Sequence, residues 1–202
     1  MDLELFLKKL ASDEPAPGGG TASAIAGSMG AALLAMVAKL SSKTEPSAAS
    51  VSNEAERLME TSNRLAKEDE KAFESVVAAY KLPKQTEKEK SIRAEKIEET
   101  LKKATQVPLQ SALVSLDVLK LAEEFVSKAN KNAISDIGVA ALLAKAAAEG
   151  AILNVFINLA SLKDNAFVKQ HRAEAEKVIE AGESRTRKIM QAVYASLRAP
   201  AG

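Results

Sequence analysis

The sequence has no cysteine, no tryptophan and a single histidine, and aromatic residues make up only 3% of its 202 residues. Without cysteine, disulfides, a thiol nucleophile and a zinc–thiolate site are excluded. One histidine cannot form a multi-histidine metal site, so we expect no metal. With 28 basic and 27 acidic side chains, the formal net charge is +1. Because the chain has neither a basic excess nor many aromatic rings, nucleic acid is not an expected partner.

Helical periodicity runs through nearly the whole chain, and no segment alternates polar and apolar residues as a strand does. We therefore predict an all-α fold, a helical bundle that residues 1–202 form as a single domain. Thr86 and Glu89 have the spacing of a capping box, and Pro108 is expected to kink or restart the helix that follows them. The predicted helices cover about residues 2–12, 21–42, 47–80, 86–128, 136–162 and 165–197.

Two of these helices, over residues 22–40 and 137–160, are apolar on nearly all sides. A small bundle can hardly surround both, so we expect one to pack across a subunit interface in a homodimer. Residues 22–38 carry no charge, but they are mostly small residues rather than the large apolar ones that favour membrane insertion. We interpret them as a core helix and expect no membrane partner. The acidic start of the chain lacks the layout of a signal peptide, so a cytoplasmic location is expected.

Residues 15–21 read Pro-Ala-Pro-Gly-Gly-Gly-Thr and run directly into the first apolar helix. Three successive glycines cost backbone entropy, which favours a role that needs close approach to the backbone. At a helix start, free N–H groups and the positive end of the helix dipole form a site for a phosphate or a carboxylate. The alternative is a tight turn that only lets two helices pack.

Asp69 lies on the apolar stripe of the long third helix, four residues after Leu65. A carboxylate on a buried face is costly unless it is paired, hydrogen-bonded or protonated. Burial raises the pKa of a carboxyl group, which suits a general acid or base near neutral pH. The alternative is a structural aspartate bonded to the end of a neighbouring helix.

Other polar residues lie in and before the second apolar helix. Lys145 and Glu149 are four residues apart, which predicts an internal salt bridge, and Asn154 and Asn158 are expected to hydrogen-bond across a helix contact. The preceding loop, residues 130–136, concentrates amides, a hydroxyl and a carboxylate. These groups are either ordinary caps, with the serine of this loop capping the helix, or a polar rim that faces the glycines.

Together these stretches resemble a known family, the cyclodeaminase domain of formiminotransferase-cyclodeaminase and its stand-alone bacterial relatives, some of which are methenyltetrahydrofolate cyclohydrolases. The resemblance covers essentially the whole chain in order. Relatives tend to have glycine where this chain has Ala129, and the formiminotransferase domain is missing. The matching stretches are Pro15-Ala16-Pro17-Gly18-Gly19-Gly20, Glu68-Asp69, Ala72-Phe73, Leu82-Pro83-Lys84, Arg93, Val107-Pro108, Asn130-Lys131-Asn132, Ser135-Asp136, Asn154-Val155 and Ile157-Asn158.

The resemblance implies an all-α homodimer that binds a tetrahydrofolate derivative near the subunit interface as its substrate. A cyclodeaminase closes 5-formiminotetrahydrofolate to 5,10-methenyltetrahydrofolate and releases ammonia. A cyclohydrolase adds water to the methenyl bridge and opens it to 10-formyltetrahydrofolate. Neither reaction needs a metal, a redox group or a thiol. The missing transferase domain favours the cyclohydrolase.

The resemblance also suggests roles for individual residues. Asp69 is the first choice for the general acid/base, and Asp136 is an alternative acid/base or a pterin anchor. Main-chain N–H groups of the glycine segment would hold the folate backbone or its glutamate carboxylate. The expected substrate-binding residues are Pro17, Gly18, Gly19 and Gly20, then Lys84 and Arg93 for a polyglutamate tail, and Asn130, Asn132 and Ser135 for the pterin edges.

Two other functions compete with this one. The first is a non-catalytic folate-binding module, for which saturable binding without turnover would be the sign. The second is a structural helical dimer without a ligand, in which Asp69, Lys145 and Glu149 form a buried ionic network.

Overall fold

A computed structural model describes residues 2–199, and in this part of the chain six α-helices and one short 3₁₀ turn, Lys131–Ala133, account for the regular structure. No strand occurs among these residues, so the predicted all-α fold is confirmed. The helices are α1 (Leu3–Leu10), α2 (Gly19–Ser41), α3 (Ala48–Tyr80), α4 (Glu87–Phe125), α5 (Ile134–Leu159) and α6 (Asn165–Arg198).

The antiparallel helices α2 and α5 form the centre of the bundle. Their contact is close because small residues line it. A Cβ atom on Gly30 would lie 2.9 Å from the carbonyl oxygen of Ala140, and one on Gly27 would lie 3.4 Å from the Cβ of Ala147. Helix α3 packs on α2, α4 packs on α5 and α3, and α6 packs on α5 and α4. By length and composition alone, α2 and the segment from Lys131 to Leu159 could each cross a membrane; in this structure they are the central pair.

Helix α4 runs without a break through Pro108, so a restart of the helix there is wrong, and the expected kink stays a prediction. The capping box of Thr86 and Glu89 at its start is confirmed. Proline has no N–H group, so the carbonyl of Ala104 loses its usual partner within the helix. The side-chain amide of Asn158, on α5, donates to this carbonyl at 2.8 Å. A tertiary hydrogen bond thus replaces the local one, and the expected hydrogen bond across a helix contact is confirmed for Asn158.

The start of α5 also differs from the prediction. The 3₁₀ turn Lys131–Ala133 precedes the helix, which begins at Ile134 with Ala133 at its N-cap. Ser135 therefore lies in the first turn and does not cap the helix. The cap in this loop belongs to Asn130, whose side chain accepts from the backbone N–H of Asn132 at 3.0 Å.

The ion pair predicted inside the bundle lies at its surface instead. Lys145 is 3.7 Å from Glu149 and also pairs with Glu183 of α6, and the side chain of Glu149 is 44% exposed. It links α5 to α6. Asp69 bonds to Thr21 rather than to either of these residues, so the buried ionic network expected for a structural dimer does not form.

Candidate functional site

A pocket of about 300 Å³ opens where the start of α2, the middle of α3 and the end of α5 meet. The sequence-predicted Asp69 and the glycine segment come together here. Pro17 is buried beside the pocket, between Ala16 and Gly18, which both line it. The other principal lining residues are Gly19, Gly20, Thr21, Glu70, Phe73, Ala104, Asn154, Ile157 and Asn158.

Asp69 lies against the N-terminus of α2. Gly18 is the N-cap in an extended conformation and provides no side-chain cap. The first N–H groups of a helix have no acceptor within it, and the dipole there favours negative charge. The hydroxyl of Thr21 donates to Oδ2 of Asp69 at 2.9 Å. The carboxylate of Asp69, from another helix, therefore lies at the start of α2 and occupies part of the predicted anion site.

Gly20 is the glycine that this arrangement requires. A Cβ atom at this position would lie 2.6 Å from Oδ2 of Asp69, closer than real Cβ contacts come. A Cβ on Gly19 would meet the Nδ2 atom of Asn154 at 3.5 Å, an ordinary contact. A Cβ on Gly18 would lie 4.0 Å from the nearest atom, the carbonyl oxygen of Pro15. Close approach of the backbone is thus needed at one of the three glycines, directly beside the carboxylate.

Burial raises the pKa of the Asp69 carboxyl above its ordinary value of 3.8. Hydrogen bonds from the hydroxyl and backbone of Thr21 lower the pKa, but the desolvation has the larger effect. A carboxyl group with a raised pKa, open to a pocket, holds a proton more readily than an ordinary aspartate does, which suits proton transfer. Asp69 therefore has the environment of a general acid/base.

Two of the predicted binding residues lie outside the pocket. The guanidinium of Arg93, on α4, donates to the carbonyl of Tyr80 at 3.1 and 3.3 Å and stacks over the Tyr80 ring. It thereby caps the end of α3. Lys84 is exposed in the loop between α3 and α4. Their contact with a polyglutamate tail stays a prediction.

The loop of residues 130–136 lies at the other end of α2 from the glycines. The backbone N–H of Asn130 donates to the hydroxyl of Ser41 at 2.8 Å, and its side-chain amide donates to the carbonyl of Leu40 at 3.2 Å. Helix α2 has 23 residues, so its two ends are about 34 Å apart. Within one chain, therefore, the loop does not form the expected rim facing the glycines, and Asn132, Ser135 and Asp136 are remote from Asp69.

Three hydrogen-bonded residues of the pocket, Thr21, Asn154 and Asn158, were not among the predicted site residues. Thr21 gives no signal beyond its position after the glycines. Asn154 and Asn158 do give one, because two amides four residues apart are unusual in so apolar a helix. That signal also fits a helix contact, and both functions hold for Asn158, which bonds to α4 and lines the pocket.

Residues 2–177 match the family model for formiminotransferase-cyclodeaminase, and the chain belongs to this family. The resemblance given by the sequence is thereby confirmed.

Three known proteins are similar to this chain over most of its length. The chain is 44% identical over 187 residues to a methenyltetrahydrofolate cyclohydrolase of Methylorubrum extorquens, which covers 89% of this chain and 90% of that protein. It is 30% identical over 207 residues to the formimidoyltransferase-cyclodeaminase of Sus scrofa, of which it spans 37%. The crystal structure of formiminotetrahydrofolate cyclodeaminase from Thermotoga maritima superposes with a TM-score of 0.87 at 29% identity, and 98% of each chain is covered.

Proposed function

We propose that this protein is an enzyme of folate one-carbon metabolism that acts on the bridge between N5 and N10 of tetrahydrofolate, and that its reaction is methenyltetrahydrofolate cyclohydrolysis. The observation that carries the proposal is the partly buried carboxyl group of Asp69 in the glycine-lined pocket. The similarity to a stand-alone cyclohydrolase over nearly the full length of both chains supports it.

The chemistry needs one group that moves protons. The Asp69 carboxylate takes a proton from water as the water oxygen bonds to the methenyl carbon, which gives a tetrahedral carbon between N5 and N10. The protonated carboxyl then gives its proton to N5 as the bond from that carbon to N5 breaks. The hydroxyl proton leaves to solvent as the formyl C=O forms. The substrate cation and water thus give neutral 10-formyltetrahydrofolate and one proton.

Cyclodeamination is the second candidate, and the similarity to the Thermotoga maritima cyclodeaminase favours it. It would use the same carboxyl group. N10 bonds to the carbon of the protonated formimino group and loses its proton to Asp69, and the carboxyl then gives this proton to the amino nitrogen, which leaves as ammonia as the methenyl cation forms. The two activities differ in what bonds to the carbon rather than in the proton-transfer residue.

We also propose that the protein is a homodimer through the outer face of α2 and α5. Exposed large apolar side chains follow each helix at spacings of three, four, seven or eleven residues, and both rows lie on the same side of the central pair. Such a face on a soluble protein is typical of an interface. The side chains are Met29, Met36, Leu40, Val139, Leu142, Leu153 and Ile157, which are 39% to 69% exposed.

The interface would continue into the pocket, since Ile157 belongs to both. A two-fold axis across the helices would pair the glycine end of each α2 with the far end of the partner's α2. It would carry loop 130–136 of one subunit to the pocket of the other. Asn130, Asn132, Ser135 and Asp136 could then act in the roles that the sequence suggests, and Asp136 could hold the pterin.

The proposed reaction is tested by following the near-ultraviolet absorbance of 5,10-methenyltetrahydrofolate with the purified protein, against the spontaneous rate. A parallel assay measures ammonia release from 5-formiminotetrahydrofolate. We expect the protein to accelerate the loss of the methenyl absorbance above the spontaneous rate. We expect it to release ammonia from 5-formiminotetrahydrofolate more slowly than it hydrolyses the methenyl compound. Ammonia release alone would replace the cyclohydrolase by the cyclodeaminase. Saturable folate binding without either reaction would contradict both and favour the binding module.

A further inference from the structure

Two asparagine side chains line the pocket from α5, and hydrogen bonds fix the orientation of both. Nδ2 of Asn158 donates to the carbonyl of Ala104 at 2.8 Å, and Nδ2 of Asn154 donates to the carbonyl of Gly150 at 2.9 Å. A carbonyl oxygen can only accept, so the amide atom that faces it is the nitrogen. Each amide keeps a second N–H and its oxygen, and neither oxygen accepts a hydrogen bond from another described residue.

The orientation of Asn158 depends on a proline in a different helix. In an α-helix, the carbonyl of residue 104 accepts from the N–H of residue 108, and Pro108 has none. Ala104 is 7% exposed, so its carbonyl has little access to water. Asn158 supplies the missing donor, and this bond holds its amide in one orientation. Ala104 and Asn158 both line the pocket, so the gap in the ladder of α4 opens onto the site.

The side chains of the pocket therefore offer mainly acceptors. Asp69 and Glu70 contribute carboxylates, Asn154 and Asn158 contribute amide oxygens, and the hydroxyl proton of Thr21 is used by Asp69. Among the described residues that line the pocket, none is basic. Such a lining fits a ligand with positive charge. The methenyl bridge is an amidinium-type cation, with its charge shared by N5 and N10, and the formyl product is neutral.

We propose that Asn158 is a substrate-contacting residue whose amide oxygen, oriented by the Ala104 carbonyl that Pro108 leaves free, lies against the cationic one-carbon unit. Pro108 is the residue that positions it. The inference rests on the proposed function and names the part of the substrate that this side of the pocket recognises. Pro108 removes one hydrogen bond from α4 and thereby orients the side chain of Asn158 in the pocket.

Three variants separate contact with substrate from a purely structural role: Asn158→Ala, Pro108→Ala and the double variant. Asn158→Ala leaves the Ala104 carbonyl without its donor, so we expect a lower Tm together with a KM for methenyltetrahydrofolate raised about tenfold or more. In the double variant, the N–H of residue 108 restores a donor to that carbonyl. We expect the Tm to recover and the KM to stay raised. Recovery of both would mean that Asn158 only satisfies the carbonyl, and would overturn the proposal.

Pro108→Ala alone gives a further readout. Its Tm is expected to be equal to or above that of the wild type, because a proline inside a helix is unfavourable. Its KM is expected to rise several-fold, since the amide of Asn158 then shares its acceptor. Asn63→Ala, at an exposed position of α3, is the matched control and should change neither quantity.

The dissociation constant of methenyltetrahydrofolate, measured beside KM, distinguishes failure of this inference from failure of the proposed function. A wild-type protein that binds without turnover overturns the proposed reaction alone. In that case, binding weakened about tenfold in the double variant supports the contact, and wild-type affinity in the double variant overturns it. A wild-type protein that does not bind this compound overturns both.

Discussion

The hydroxyl of Thr21 donates to Oδ2 of Asp69 at 2.9 Å and joins the start of α2 to the middle of α3. This bond places a carboxylate at the positive end of a helix, beside a glycine that leaves room for it. Burial and hydrogen bonding act on that carboxyl in opposite directions, and burial has the larger effect. The balance between them sets the pH range in which Asp69 can serve as a base.

Thr21→Val tests this balance, because it keeps the shape of the side chain and removes the donor. Hydrogen bonds to a carboxylate favour its charged form, so their loss raises the pKa of Asp69 further. We expect the acid limb of the kcat/KM profile to move to higher pH, and the free energy of unfolding to fall by about 1 kcal/mol. Thr61→Val, where the hydroxyl bonds to its own helix, is the control. An acid limb that stays in place would show that Thr21 does not tune this group.

Asp69→Asn is expected to change how stability depends on pH. Because the pKa of Asp69 is raised on folding, the folded chain holds this proton more tightly than the unfolded chain does. The resulting stabilisation is complete below the ordinary pKa of 3.8 and is lost as the pH rises through the folded pKa.

Chemical unfolding at pH values from 4 to 8 measures this effect. The free energy of unfolding of the wild type, relative to that of Asp69→Asn, should fall over this range. A difference that grows with pH would mean that the folded pKa lies below the unfolded one, contrary to our assignment.

Gly20→Ala should displace the carboxylate. The added Cβ would lie 2.6 Å from Oδ2 of Asp69, and the neighbouring backbone of α2 cannot move away without disturbing the bundle. We expect at least a tenfold loss of kcat/KM together with a lower Tm. Gly182→Ala is the matched control, because its Cβ would meet Leu119 at an ordinary 3.8 Å and alanine favours a helix over glycine by about 1 kcal/mol. Full activity in Gly20→Ala would contradict the position given to Asp69.

Sequence reasoning found the parts of the site that depend on one helix. Asp69 stands out because the 3.6-residue period places it on the apolar stripe of α3, and the glycines stand out because they precede an apolar helix. Contacts between helices were harder to predict from the sequence. Pro108 predicts a kink from the bonds of α4 alone, whereas the donor that satisfies Ala104 is 54 residues away on α5.

The position of loop 130–136 illustrates the same limit. Its composition suggests a polar rim, and that much follows from the residues. Its distance from the glycines depends on the antiparallel direction of α2 and α5, because the two helices then begin at opposite ends of the bundle. Helical periodicity does not show in which direction two helices pack. The sequence therefore assigned to one site residues that lie about 34 Å apart in one chain.

The proposed dimer is tested at its apolar face. Leu142→Glu places a charge among side chains that a partner would cover, and we expect sedimentation to show a monomer where the wild type is a dimer. Ile92→Glu, at a similarly exposed apolar residue of α4 outside this face, should leave the dimer intact. A monomeric wild type would remove the interface.

The relative direction of the two α2 helices in the proposed dimer can be measured separately. Because the chain has no cysteine, single introduced thiols report contacts without background. We expect Ala26→Cys in one subunit to cross-link with Met36→Cys in the other, since a two-fold axis across α2 brings these positions together. Efficient cross-linking of Ala26→Cys with itself would indicate parallel α2 helices and would leave loop 130–136 away from the pocket.

The proposed reaction depends most on Asp69 as the group that transfers protons. The most direct measurement compares the rate of 5,10-methenyltetrahydrofolate hydrolysis by the wild type and by Asp69→Asn, which keeps the shape and removes the titration. Glu68→Gln, at the neighbouring carboxylate that pairs with Arg64 at 2.8 Å, is the control. We predict a loss of about 10² to 10⁴-fold in kcat for Asp69→Asn and wild-type turnover for the control. Unchanged turnover in Asp69→Asn would contradict the central role given to this carboxyl group.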